Sequence, residues 1–182
     1  FTRNTTESIN LVAHSWARAH LASGDEVLLS EIEHHSNIVP WQILRDEIGI
    51  VLKFIPMLAD GTLDLEEARR QFTNRTKLLS ITHMSNALGT IVPVKDLARW
   101  AHEAGALVLV DGAQSVPHLP VDVQDLDVDF LVFSAHKMLG PTGVGVLWSR
   151  MEVLETMRPF MGGGDMILSV TLEESTWNDI PY

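Results

Sequence analysis

The chain has 182 residues, of which 46% are hydrophobic and 20% are charged, as in a globular protein with a buried core. Its formal net charge of -11 and its lack of a basic run argue against binding to nucleic acid or to an anionic membrane. The absence of cysteine excludes disulfides and thiolate metal sites within the chain, and it fits a reducing compartment.

The sequence shows no stretch near the roughly 20 apolar residues of a membrane-spanning helix, and no signal peptide. It begins at Phe1 without a methionine, and it ends at Ile180-Pro181-Tyr182 without a closing element. We therefore expect a piece of a longer protein, large enough for one domain.

The hydrophobic pattern predicts helices and strands that alternate along the chain. The first helix begins near Thr5, and the second has Ser36 as its expected cap, Pro40 in its first turn and Gly49 at its end. The elements predicted after the first helix are, in order, a strand over 26–30, a helix over 36–48, a strand over 50–55, a helix over 64–72, a strand over 77–82, a helix over 94–103, strands over 107–110, 130–133 and 143–148, and a helix over 151–157.

This alternation predicts a layered α/β fold around a mostly parallel sheet. The last two strands are joined by a loop that is too short for a helical crossover, so we expect that pair to be antiparallel.

Polar residues follow four of the predicted strands. The tetrapeptide D-G-A-Q follows Val110, S-A-H-K follows Phe133, H-M-S-N follows Thr82, and two histidines come shortly after Ser30. Ligands of open α/β sheets bind beyond the carboxyl ends of the strands, so we expect these groups to converge at one edge of the sheet.

Asp111 and Lys137 each end an apolar run, where an unpaired charge is costly to bury. A structural ion pair between the two is one interpretation. The histidines, the asparagine, the glutamine and the glycine-rich loop at neighbouring strand ends favour a functional site instead.

Several motifs resemble those of one enzyme family. D-G-A-Q-S, from Asp111, and S-A-H-K-M-L-G-P-T-G-V-G-V-L, which contains Lys137, resemble the pyridoxal 5′-phosphate (PLP) site of class V aminotransferase-like enzymes. R-N-T-T-E-S-I-N-L-V-A, E-H-H-S-N-I-V-P-W and I-T-H-M-S-N-A-L-G-T are similar to the cysteine desulfurase and selenocysteine lyase branch. The resemblance covers essentially the whole chain.

The resemblance implies the large, PLP-binding domain of a fold-type I PLP enzyme. Such a domain is a three-layer α/β/α structure with a mostly parallel sheet and one antiparallel strand. Residues 1–182 would form part of that domain, with an N-terminal segment and a C-terminal small domain absent.

The resemblance also implies roles for individual residues. Lys137 would hold PLP as an internal aldimine and act as a catalytic base, and Asp111 would keep the pyridine nitrogen protonated. Gln114 would hydrogen-bond the ring hydroxyl. His34, the second catalytic residue, would stack on the ring.

The remaining contacts concern the phosphate and the substrate side of the ring. Ser134 and His136 match phosphate contacts of the family, and Asn86 matches a residue near the ring hydroxyl and the substrate carboxylate. Thr6 lies at a predicted helix start, where free N–H groups favour an anion, although a lone threonine there also fits a simple cap.

No metal or nucleotide site is predicted. Adjacent histidines such as His34 and His35 rarely share one ion, and the acid–histidine spacing of a zinc site is lacking. The glycine-rich loop after Lys137 lacks the Lys-Ser/Thr pair of a nucleotide phosphate loop. The other histidines on predicted helices and loops are expected to be solvated: His14, His20, His102 and His118.

The resemblance implies that the parent protein converts L-cysteine or L-selenocysteine to L-alanine and releases sulfur or selenium. It further implies a cytoplasmic homodimer that hands sulfur to an acceptor protein in iron–sulfur cluster assembly. The family's persulfide cysteine and carboxylate-binding arginine would lie outside this chain. Two alternatives stay open: another class V PLP enzyme (a kynureninase-like hydrolase, an epimerase or an aminotransferase), or an inert truncated α/β module.

Overall fold

The computed structural model describes residues 1–179, so the C-terminal 180–182 noted above lie outside the described residues. The helices are α1 (Thr5–Leu11), α2 (Arg18–His20), α3 (Val39–Ile48), α4 (Leu65–Gln71), α5 (Val94–Glu103), α6 (Ser115–His118), α7 (Val123–Leu126) and α8 (Met151–Leu154). A π-helical segment, Val12–Ala17, continues α1 into α2, and 3-10 turns cover His35–Asn37 and Ala135–Lys137. The strands are β1 (Glu26–Ser30), β2 (Val51–Ile55), β3 (Thr76–Thr82), β4 (Leu107–Asp111), β5 (Phe130–Ser134), β6 (Gly145–Ser149), β7 (Ile167–Val170) and β8 (Ser175–Trp177).

Six of the strands form one sheet, in the order β2-β1-β3-β4-β5-β6. The first five strands in this order are parallel, and β6 is antiparallel to β5, which confirms the predicted arrangement. Strands β7 and β8 form a separate antiparallel pair that the sequence pattern did not predict.

Helices cover both faces of the sheet. Successive residues of β1 point to opposite faces, since Leu28 packs in one hydrophobic cluster while Val27 and Leu29 pack in another. The first cluster includes Leu97 of α5, and the second includes Trp41 of α3. The fold is therefore a three-layer α/β/α structure, as predicted. None of the helices within residues 1–179 has the length and apolar content needed to cross a bilayer.

The N-terminal segment is bound to the edge of the sheet. The Thr2 N–H donates to the Gly145 carbonyl at 3.0 Å, and the Gly145 N–H donates to the Thr2 carbonyl at 2.7 Å. The cap of α1 is Asn4, whose Oδ1 accepts from the Glu7 N–H at 2.9 Å. The simple-cap interpretation of Thr6 is therefore wrong.

Some predicted boundaries shift. Ser36 does not cap α3, because the chain first forms the 3-10 turn and α3 begins at Val39. Pro40 lies in the first turn of α3, and Gly49 ends the helix with a φ of 79°, as predicted. The helix predicted over 151–157 ends at Leu154, and the strand predicted from residue 143 begins at residue 145.

Candidate active site

A cavity of about 240 Å³ opens at the carboxyl ends of β3, β4 and β5. Its lining includes all eight residues singled out in the sequence: Thr6, His34, Asn86, Asp111, Gln114, Ser134, His136 and Lys137. The parallel strands bring seven of these residues together, because the carboxyl ends of parallel strands meet at one edge of the sheet, whereas Thr6 reaches the cavity from the start of α1.

Asp111 ends β4, and only 4% of it is exposed to solvent. Its Oδ1 accepts from the Ala113 N–H at 2.9 Å. Burial raises the pKa of Asp111, although this N–H and the positive charge of Lys137 act in the opposite direction. The cavity therefore contains a buried carboxyl group that a cation would stabilise.

Lys137 ends the 3-10 turn after β5 and faces the same cavity. Among residues 1–179 it forms no ion pair with a carboxylate. The interpretation of Asp111 and Lys137 as a direct structural ion pair is therefore wrong. The two groups instead face one open space, where both are available to a ligand.

Hydroxyl groups connect the start of α1 to the rest of the site. The Ser134 Oγ accepts from the Thr5 N–H at 2.8 Å and lies 2.7 Å from the Thr5 Oγ1. The Thr6 Oγ1 lies 2.8 Å from the Ser36 Oγ. Thr5 and Ser36 also line the cavity, although neither was predicted as a site residue. Their position inside the motifs T-T-E-S and E-H-H-S-N was the available signal.

His34 lies in the loop after β1 and is oriented by Ser36. Its Nδ1 accepts from the Ser36 N–H at 3.1 Å and lies 3.0 Å from the Ser36 Oγ. Because a backbone N–H can only donate, the neutral imidazole carries its proton on Nε2. The ring centroids of His34 and His35 are 5.9 Å apart. No group of three metal-ligating side chains occurs in the described part of the chain.

Glu33 is a buried carboxyl group beside the site that was not predicted as a site residue. Only 8% of it is exposed, and it accepts hydrogen bonds from Ser30, Asn37 and the Thr82 N–H. Burial raises the pKa of Glu33 to about 7 despite these donors, and the negative charge of Asp111 adds to the shift. The signal in the sequence was an acid between Ile32 and His34, three residues after the end of a buried strand.

One of the histidines expected to be solvated is not. His102 is half-buried, its Nε2 is 2.9 Å from the Asp129 Oδ2, and its Nδ1 is 3.5 Å from the Asp127 Oδ2. The hydrogen bond with Asp129 raises the pKa of His102. The other three, His14, His20 and His118, are exposed as expected.

Comparison with known proteins identifies the family. The model of the aminotransferase class-V family matches residues 1–182. The chain belongs to this family. A cysteine desulfurase of Klebsiella pneumoniae is 56% identical over 183 residues, which are 100% of this chain and 45% of the relative. The chain thus spans about half the length of such relatives, and its sequence falls in the cysteine desulfurase branch.

Solved structures of similar proteins have the same fold. The cysteine desulfurase CsdA of Escherichia coli superposes with a TM-score of 0.95 at 43% identity, over 99% of this chain and 45% of that one. A variant of C-DES with glycine covalently linked to its PLP cofactor superposes with a TM-score of 0.83 at 27% identity, over 98% of this chain and 48% of that one. These matches confirm the predicted fold-type I architecture.

Proposed function

We propose that this chain binds PLP in the cavity and forms the cofactor-binding part of a cysteine desulfurase. The observation that carries the proposal is that Lys137 and Asp111 face one cavity without pairing with each other. A ligand with an aldehyde at one end of a ring and a basic nitrogen at the other would engage both groups.

The residues present fit this cofactor. Asp111 would hold the ring nitrogen in its cationic form, because a buried carboxyl group with a raised pKa gains most from a cation. The Lys137 Nζ would hold the cofactor through its aldehyde carbon, and once the substrate amine had replaced it, the freed Nζ would accept the α-proton of the substrate. The bound cofactor would supply an electron sink for the charge left on the substrate carbon.

The other cavity residues would hold and orient the cofactor. Thr6, Ser134 and His136 would contact the phosphate, and His34 would cover the ring as the second catalytic residue. Gln114 would donate to the ring hydroxyl, with Asn86 nearby. The Ser134 Oγ accepts from the Thr5 N–H and can also accept from the Thr5 Oγ1, which would leave its own proton free to be donated to the phosphate.

The whole protein would convert L-cysteine or L-selenocysteine to L-alanine and release sulfur or selenium. Residues 1–182 would form part of its large domain, and the remainder would supply the persulfide cysteine and the carboxylate-binding arginine, since this chain contains no cysteine. We further propose a cytoplasmic homodimer that passes sulfur to an acceptor protein in iron–sulfur cluster assembly. The similarity to cysteine desulfurases favours this activity over a kynureninase-like, epimerase or aminotransferase activity.

Covalent trapping tests the proposal. The complete protein is incubated with PLP, its visible absorption is recorded, and borohydride reduction followed by peptide mass mapping locates the attached group. We expect attachment at Lys137 and none in Lys137→Ala. The control is Lys95→Ala, which removes an exposed lysine paired with Asp125 and should leave attachment unchanged. A folded protein that shows no attachment would support the inert-module alternative.

A second measurement tests the substrate. The complete protein is given L-cysteine and L-selenocysteine separately, and alanine, sulfide and selenide are quantified. Alanine formed together with sulfide or selenide supports the proposed reaction. Attachment of PLP at Lys137 without release of either product would indicate another class V activity.

A further inference from the structure

A buried polar cluster lies directly behind the cavity, with Glu33 at its centre. The Glu33 Oε1 accepts from the Ser30 Oγ at 2.5 Å and from the Thr82 N–H at 2.9 Å. The Glu33 Oε2 accepts from the Asn37 Nδ2 at 2.7 Å. One carboxyl group thereby joins the end of β1, the end of β3 and the turn before α3.

The orientation of the Asn37 amide is determined by its other neighbours. The Asn37 Oδ1 accepts from the Trp41 Nε1 at 3.2 Å and from the Ser80 Oγ at 2.5 Å. Because the indole nitrogen can only donate, the Asn37 oxygen must face Trp41 and the Asn37 NH₂ must face Glu33. The side chain at position 33 therefore has to present an acceptor to Asn37 and another to the Thr82 N–H.

This cluster contacts the cavity on two sides. Glu33 directly precedes His34, which lines the cavity, and Thr82 lines the cavity beside its neighbour across the sheet, Asp111. The loop with His34 is thus bound to the sheet through the Glu33 carboxyl group. Burying an acid at this position costs free energy of folding. A role in organising the site therefore explains the presence of Glu33 better than a contribution to the stability of the fold does.

We propose that Glu33 is a positioning residue of the site: its hydrogen bonds to Ser30, Asn37 and Thr82 hold the loop that places His34 over the cavity. Either protonation state suits this role. A proton on Oε1 can be donated to the Ser30 hydroxyl, which can accept as well as donate. The part of the proposal that concerns PLP rests on the proposed function.

Glu33→Gln tests the geometry. If the glutamine NH₂ points toward Asn37, it faces the Asn37 NH₂, and both groups are donors. If the glutamine NH₂ points toward Thr82 instead, it faces the Thr82 N–H, which is also a donor. One buried donor is unsatisfied in either orientation, and we expect PLP to bind the complete protein about tenfold more weakly, as judged by absorption titration.

A compensating double variant separates positioning from general damage. In Glu33→Gln/Asn37→Asp, the glutamine NH₂ donates to the new carboxylate, and the glutamine oxygen accepts from Ser30 and Thr82. The new carboxylate still accepts from Trp41 and Ser80. Every hydrogen bond of the cluster is restored with the net charge unchanged, so we expect PLP binding to return to within about threefold of the unsubstituted protein.

Glu26→Gln is the matched control. Glu26 is also a fully buried carboxyl group of the β1 region, but it lies at the opposite end of that strand, where it pairs with Lys53 and Arg75. We expect this variant to be less stable than the unsubstituted protein, yet to bind PLP within about twofold of it, because the two sites are far apart and independent.

A measurement without cofactor keeps this proposal separate from the proposed function. In the PLP-free protein, NMR follows the His34 imidazole signals and the hydrogen exchange of the Thr82 amide. Glu33→Gln should broaden or shift the His34 signals and speed Thr82 exchange on the order of tenfold, and the double variant should reverse both changes. If the unsubstituted protein fails to bind PLP, the proposed function fails and these signals alone decide the role of Glu33.

Two results would overturn the inference. One is a Glu33→Gln variant with unchanged His34 signals, Thr82 exchange and PLP binding. The other is a double variant that remains as impaired as Glu33→Gln, which would mean that the acid itself, rather than the hydrogen-bond pattern, is required.

Discussion

Three buried carboxyl groups show how neighbours decide the charge of a residue. Burial opposes the ionisation of Glu26, but hydrogen bonds from Thr73 and Lys53 and the charge of Lys53 outweigh it, so the pKa of Glu26 is lowered. At Glu33 and Asp111, by contrast, the hydrogen-bond donors are uncharged, so burial dominates and raises the pKa. Glu26 therefore has its cations within the fold, while Asp111 would receive one from a ligand.

Asp111→Asn tests this difference. The amide oxygen can still accept from the Ala113 N–H, so the fold should remain intact, and removing a costly buried charge should raise the free energy of unfolding by about 1 kcal/mol at pH 8. PLP binding should weaken on the order of tenfold or more, because the ring nitrogen would lose the carboxylate proposed to hold it. Thermal unfolding and PLP titration measure the two effects.

The control for Asp111→Asn is Asp96→Asn, which removes an exposed acid paired with Arg99 and should change neither quantity. An Asp111→Asn variant that unfolds, or one that binds PLP normally, would show that Asp111 serves the fold.

At the scale of elements, the site depends on the contact between the N-terminal segment and β6. Gly145 lets the two backbones approach closely, since a Cβ at this position would lie 2.6 Å from the Asn4 Cα. This approach places Asn4, Thr5 and Thr6 on the wall of the cavity. The start of α1 is thus positioned by a strand that lies far away in the sequence.

Gly145→Ala should displace the start of α1. We expect a loss of about 2 kcal/mol of stability, because the clash is with backbone atoms that cannot rotate away, and weaker PLP binding, because Thr6, a proposed phosphate contact, would move. Gly162→Ala is the control, since a Cβ there meets nothing within 4 Å. Denaturant unfolding and PLP titration provide the measurements, and equal behaviour of the two variants would contradict this account.

At the scale of the whole molecule, Glu33 and His102 join Asp111 in making stability depend on pH in the same direction. The pKa of Glu33 is raised from 4.5 to about 7, and the pKa of His102 is raised above 6.5. The folded chain therefore retains protons that the unfolded chain has released. The stabilisation from each group is complete below its unfolded pKa and is lost as the pH rises through its folded pKa.

We accordingly expect the contribution of these groups to the free energy of unfolding to fall as the pH rises from about 5 to about 8. His102→Gln should make the decline above pH 6.5 shallower, with an effect below about 1 kcal/mol because His102 is partly exposed. Denaturant unfolding across this pH range tests the expectation. His118→Gln is the control, because the exposed His118 imidazole contacts the Gln114 carbonyl rather than a carboxylate. Identical pH profiles for the two variants would contradict the role of His102.

The sequence by itself determined the order of the six sheet strands along the chain, the antiparallel edge strand β6 and the set of residues at the strand ends. Hydrophobic period and strand-end position are local properties, so they can be recognised without knowing what packs against them. The convergence of Asp111 and Lys137 on one cavity followed directly from the parallel sheet.

Only the tertiary structure decided which polar groups are partners. It pairs His102 with Asp129 and joins Glu33 to Thr82, and it leaves Asp111 without a direct ion pair to Lys137. No periodic signal in the sequence reveals any of these arrangements. The physical reason is that a hydrogen bond needs two atoms within about 3 Å of each other, a distance that depends on how layers far apart in the chain pack together.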